Sequence, residues 1–186
     1  MSLFAVIDTE TTWTNRVMSI GIVIADSVTF KPADKRYYTV TPFKDQGGMY
    51  SGVLYVSGIT PHLEASRQEV LEDIRCFLSG NGVRDIYAYN ASFDCGHLTE
   101  LHGFGWYDIM RLAAYRQFNP KISKTADTYS TGRLKRGYGV QEIYRMLSGN
   151  SGYYEVHNAL ADAVDELEIM RMLNIPIQHY STAKIL

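Results

Sequence analysis

Two carboxylates stand at the end of the run FAVIDTETTW, residues 4–13. Phe4, Ala5, Val6 and Ile7 read as a buried strand, and Asp8 and Glu10 lie just past it. Residues i and i+2 of a strand face the same side, so the pair points to one place. Adjacent carboxylates repel, and in a poorly solvated site one of them is forced to hold a proton. A divalent cation removes that conflict, since Mg²⁺ prefers hard oxygen ligands. Taken alone the D-x-E spacing is common, and a solvated turn leaving a strand is the plainer account of it.

The same theme occurs twice more. In YNASFD, Tyr89 to Asp94, a strand end is followed by an acid in the first turn of a helix. On its own that acid answers the helix dipole. In VHNALADAVDELEIM, residues 156–170, His157 precedes a helix and Asp162 lies within its first turns. Alone, Asp162, Asp165, Glu166 and Glu168 make a solvated face, and His157 is a hydrogen-bonded surface residue. Together the three segments say more. Strand ends and helix starts of an open α/β sheet can meet at one edge, where sites form. Asp8, Glu10, Asp94 and Asp162 bring about four negative charges to such an edge, which two divalent metals can neutralise.

The elements that must position these residues follow from periodicity. Leu3 to Asp8, Met18 to Ala25 and Arg36 to Thr41 read as strands with short links, hence an antiparallel meander. Residues 42–58 are glycine-punctuated loop. Ser66-Arg67-Gln68-Glu69 is a capping box opening a helix to Leu78, with Val70, Leu71, Ile74, Phe77 and Leu78 as its apolar stripe. A strand is expected at 86–89, a helix over 92–101 with Asn90 near its N-cap, and a strand around Trp106-Tyr107. Residues 119–137, with Lys121, Lys124, Arg133, Lys135 and Arg136, read as a long exposed loop. Helices follow at 140–147 and 158–173, and 174–186 is a tail. The order implies an α/β domain with a mixed sheet flanked by helices.

Composition sets bounds on these readings. The chain has 186 residues, 46% hydrophobic and 20% charged, which fits one globular domain. A net charge of −2 gives no global polyanion-binding signature, so contacts with a polyanion must come from local patches or cations. Cys76 and Cys95 are too few for a disulfide framework and lack C-x-x-C spacing. No signal peptide or membrane span is visible, and reduced thiols agree with a cytoplasmic setting.

The three motifs in order, VIDTETT, YNASFD and HNALADA, resemble those of the DEDD 3′–5′ exonucleases of the ribonuclease-H-like superfamily. His157 stands five residues before Asp162, as in their histidine-bearing (DEDDh) subgroup. Relatives include the proofreading subunit of bacterial DNA polymerase III, ribonuclease T and oligoribonuclease. YDIMRLAA also resembles the segment after the second motif, and the likeness runs from about residue 3 to 173. One departure is Trp13, where many relatives have Gly after the two threonines; it leaves the acids untouched and bears only on substrate contacts.

The resemblance implies an exonuclease domain over 1–175 with a tail at 176–186. It implies release of mononucleotides from the 3′ end of single-stranded DNA or RNA, with two divalent cations, Mg²⁺ or Mn²⁺. Asp8 then bridges both ions, Glu10 and Asp162 hold the one that carries the attacking water, Asp94 supports the other, and His157 is the general base. Thr11, Thr12, Trp13, Asn90 and Phe93 are the expected substrate contacts. A polymerase or a second copy of the chain is a further partner the family allows, and no membrane is implied. The competing readings are a catalytically idle nucleic-acid or polymerase-binding module of the same fold and a non-nucleolytic metal phosphohydrolase.

Overall fold

The computed structural model describes residues 2–186. Its frame is a six-stranded sheet built from β1 (Leu3–Thr11), β2 (Val17–Asp26), β3 (Pro32–Thr41), β4 (Leu63–Ser66), β5 (Asp85–Ala88) and β6 (Gly105–Asp108), in spatial order β4-β3-β2-β1-β5-β6. The meander expected from sequence is present, with β1–β2 and β2–β3 antiparallel, while β1–β5, β5–β6 and β3–β4 are parallel.

Strand alternation sorts the side chains into two cores. Phe4 and Val6 of β1, Val23 and Ala25 of β2 and Tyr37 of β3 face one side. There they meet α5 (Ala159–Leu173), through Leu160, Ala163, Leu167 and Met170, and Ile143 of α4 (Val140–Ser148). Ala5 and Ile7, Ile20, Ile22 and Ile24, Tyr38 and Val40 face the other side, against α1 (Arg67–Gly80) and α2 (Ser92–His97). Every residue of β2 is buried. Each fully buried aliphatic side chain contributes about 1.5–3 kcal/mol, so the central strands are the stiffest part of the molecule. The Ser66–Glu69 capping box forms as its sequence predicts.

Four expectations are corrected. A fourth strand, β4, extends the sheet parallel to β3 between the expected loop and the capped helix, where no strand was read; it is a four-residue edge strand with half its side chains exposed, so it carries little pattern. The helix after Asn90 starts at Ser92 behind an Ala91 N-cap and stops at His97. Gly96 weakens its last turn, Leu98 leaves helical geometry, and a separate 3-10 turn covers Thr99–Leu101. The segment 119–137 is pinned rather than free: Asn119, Ile122 and Leu134 are buried, and the Leu134 amide donates to the Ala114 carbonyl. The last residues are also packed. Ile177–Ala183 form a 3-10 turn that buries Tyr180 and Ala183 completely, and the Ile185 amide donates to Trp106 O at 2.8 Å. A short helix, α3 (Met110–Ala113), follows β6. Among the described residues no helix is long and apolar enough to cross a membrane.

Candidate active site

Asp8 and Glu10 continue the even-numbered face of β1, the face on which α5 lies. Asp8 is registered with Gly21 of β2. A Cβ at Gly21 would lie 2.1 Å from the Ala159 carbonyl oxygen, so only glycine lets the start of α5 come down onto the sheet here. That start is fixed by Asn158, whose side chain accepts from the amides of Leu160 and Ala161. The close approach brings Asp162, in the first turn of α5, over the two β1 acids. Asp94 arrives from the second motif and is held by the neighbour of Asp8, since the Thr9 hydroxyl donates to Asp94 Oδ1 at 2.8 Å.

Asp8, Glu10, Asp94, His157 and Asp162 therefore line one cleft of about 460 Å³. Ligand atoms of Glu10, His157 and Asp162 all lie within 4.8 Å of one another. Thr11, Thr12, Trp13, Asn90 and Phe93 line the same cleft. Trp13 and Phe93 are exposed at its mouth together with Met49. Thr12 is committed internally, its hydroxyl accepting from the amides of Thr14 and Arg16 to shape the turn after β1. Asn90 sits at a left-handed φ of 60° and its amide donates to Asp108 Oδ1, which fixes the turn between β5 and α2.

Crowding of acids sets the electrostatics. Burial first, then Asp94, Glu166, Asp162 and Glu10, hold the Asp8 carboxyl well above its ordinary range. Burial and Asp162 push Glu10 up to about 8. Burial and Glu155 push Asp162 up to about 8. Burial pushes Asp94 up to about 7, against the Thr9 hydrogen bond. His157 is lowered by burial, which favours the neutral imidazole near neutral pH. Asp8 as a residue is only partly buried, yet its Oδ2, like Asp162 Oδ1, is shut off from solvent and has no hydrogen-bond partner among the described residues. Buried anionic oxygens are paired or bind metals. Hard oxygens with one imidazole beside them are a donor set that suits Mg²⁺ or Mn²⁺.

Three residues that belong to this environment escape sequence reasoning. Glu155, two positions before His157, lines the cleft; its Oε1 lies 4.0 Å from His157 Nδ1, and burial pushes its carboxyl up to about 7. Its place next to the third motif was the available signal. Glu166 reads as solvated surface but is buried one turn after Asp162, where its Oε2 accepts from the Tyr89 amide. The (i, i+4) spacing from Asp162 could have found it. Tyr50, in the loop after β3, also lines the cleft, and nothing local in the sequence marks it.

No protein-family model matches the chain, and no curated protein matches it by sequence. Solved structures do. The nuclease domain of 3′hExo, a DEDDh family member bound to rAMP, superposes with a TM-score of 0.60 at 14% identity, over 91% of this chain and 90% of that one. Exonuclease X in complex with 5′ overhanging duplex DNA matches at 0.57 and 19% identity, over 97% and 98%. E. coli exonuclease I in complex with a dA16 oligonucleotide matches at 0.63 and 16% identity, over 97% of this chain and 42% of that one. The chain spans between 40% and 64% of the length of several exonuclease chains that it matches. The six-stranded mixed sheet with helices on both faces is the fold that this chain shares with those exonuclease structures.

Proposed function

We propose that the chain is a metal-dependent 3′–5′ exonuclease that hydrolyses phosphodiester bonds at the 3′ end of single-stranded DNA or RNA and releases nucleoside monophosphates. The observation that carries this reading is the convergence of Asp8, Glu10, Asp94, Asp162 and His157 on one cleft, with two buried carboxylate oxygens left unpaired. Asp8, Glu10, Asp94 and Asp162 would hold the divalent cations, two of which would neutralise the four acids. Bound there, such ions neutralise the acids, polarise the phosphoryl oxygens and lower the pKa of the attacking water. The half-exposed imidazole of His157, close to Glu10 and Asp162, takes the proton of the attacking water. Phe93, Trp13 and Thr11 meet the terminal nucleotide, the two rings by stacking on bases. Folds similar to this one include proteins solved with rAMP and with a dA16 oligonucleotide.

Matched single strands labelled at the 3′ or the 5′ end, incubated with Mg²⁺ or Mn²⁺, test the reaction. The 3′ label should appear early as mononucleotide and the 5′ label only late. General-base catalysis contributes about 10²–10⁴-fold, so His157→Ala should reduce turnover by at least about 10²-fold while Mn²⁺ binding is retained. Absence of cleavage from either end favours the idle-module reading. Unchanged turnover in His157→Ala removes the base assignment alone.

A further inference from the structure

His157 leads into α5 from a left-handed backbone conformation, φ 60°, rare for a residue with a side chain. Its imidazole is half exposed. A ring on such a connection has rotational freedom unless something outside the motif restrains it. The Tyr50 ring lies flat against it, with centroids 4.0 Å apart and planes 12° from parallel.

Tyr50 is itself fixed from both ends of its loop. Upstream, the Trp13 amide donates to Gly47 O at 3.2 Å. Gly48 packs so closely that a Cβ there would lie 2.4 Å from Thr11 O, which ties the loop to the strand carrying Asp8 and Glu10. Downstream, Asn158 Nδ2, from the residue after His157, donates to Val53 O at 2.9 Å, and the Tyr37 hydroxyl donates to Leu54 O at 3.0 Å. The loop thus bridges the first and third motifs, and Tyr50 stands between its anchors.

We propose that Tyr50 is a positioning residue: its ring is the platform that holds the His157 imidazole toward Glu10 and Asp162. The role rests on the exonuclease reading of this cleft. Tyr50 touches no reacting atom and acts only through the imidazole. The contact is one of ring faces, so a phenylalanine serves as well as a tyrosine.

The test joins a spectroscopic and a kinetic measurement. In ¹H–¹³C spectra the His157 ring signals, assigned by their loss in His157→Ala, should be shifted upfield by the tyrosine ring current. That shift should vanish in Tyr50→Ala and persist in Tyr50→Phe. Misplacing a catalytic group by about 1 Å costs about 10²-fold. Tyr50→Ala should therefore lower kcat by about 10- to 100-fold with KM unchanged, and Tyr50→Phe should restore it. Tyr50→Leu, which keeps bulk but no ring, should behave as Tyr50→Ala. Wild-type kcat in Tyr50→Ala overturns the role, and so does a raised KM with kcat intact, which would mean stacking on a substrate base. An absent ring-current shift in the wild type removes the platform itself. A wild type inert on every 3′ end sinks the exonuclease reading, and the catalytic role of Tyr50 with it; an active wild type indifferent to Tyr50→Ala sinks the positioning role alone.

Discussion

Asp162 shows what the crowding of acids demands of the fold. Its carboxyl is pushed up to about 8 by burial and by Glu155, well above its value in an unfolded chain. Glu10 is also pushed up to about 8, by burial and by Asp162. Between the unfolded and folded values the native state holds more protons than the unfolded state, so stability falls as pH rises. In cation-free protein the contribution of these groups is fully present below about pH 4 and is lost as pH rises through about 8. Melting curves in a chelating buffer from pH 5 to 8.5 should show the wild type losing Tm with pH, and Asp162→Asn losing less. Added Mg²⁺ or Mn²⁺ should recover the wild type at pH 8 and do little for the variant. Parallel pH profiles of the two proteins would mean that Asp162 ionises without strain and needs no cation.

Among the elements, the approach of α5 to β2 decides whether the acids meet at all. Gly21 faces the helix start, and a methyl group there runs into the Ala159 carbonyl at 2.1 Å and the Leu160 amide nitrogen at 2.3 Å. Neither atom belongs to a flexible side chain, so the helix must lift. Gly21→Ala should cost about 1–3 kcal/mol by overpacking. It should also depress turnover, because His157 and Asp162 ride on the displaced segment. Gly80→Ala at the end of α1, with nothing within 4 Å of the added carbon, is the control and should leave both melting and turnover unchanged. Equal behaviour of the two variants would show that the sheet and helix yield without disturbing the cleft. The same junction shows what could be read in advance. The acids of β1 and the start of α5 were legible because strand and helix periodicities mark where each element ends. The meander was legible from its β-branched runs. Tyr50 was not, since it is defined by a partner far along the chain, His157; for Glu166 the spacing from Asp162 marked the position, but not the Tyr89 amide that its carboxylate accepts from. The burial of Tyr180 was hidden for the same reason: its ring packs edge-on against Tyr87, with centroids 5.4 Å apart.

For the whole molecule, a net charge of −2 and an acid-lined cleft leave little general attraction for a polyanion. Two further clefts adjoin the acidic one, one larger and one smaller, and each offers an arginine. Arg16 lines a cleft that shares Asn15 and Phe93 with the candidate site and makes no ion pair among the described residues. Arg133 lines the other, which shares Tyr89 and Asn90, and lies over the Tyr129 and Tyr138 rings. Arg67, beside Arg16, is already paired with Glu100 at 2.8 Å. A single strand entering from either side thus meets about one free cation. Counterion release gives a slope of log affinity against log salt of about −0.7 per neutralised phosphate for single strands. At fixed Ca²⁺ in place of Mg²⁺ and varied KCl, oligonucleotide binding should therefore fall with a slope of about −0.7 to −1.4. Arg16→Ala should flatten that slope by about 0.7 if the strand leaves past Phe93, and Arg133→Ala should do so if it leaves past Tyr138. A slope steeper than about −3 would require four or more phosphate contacts, more cations than the surface around the cleft provides, and would place the strand on a different face of the molecule.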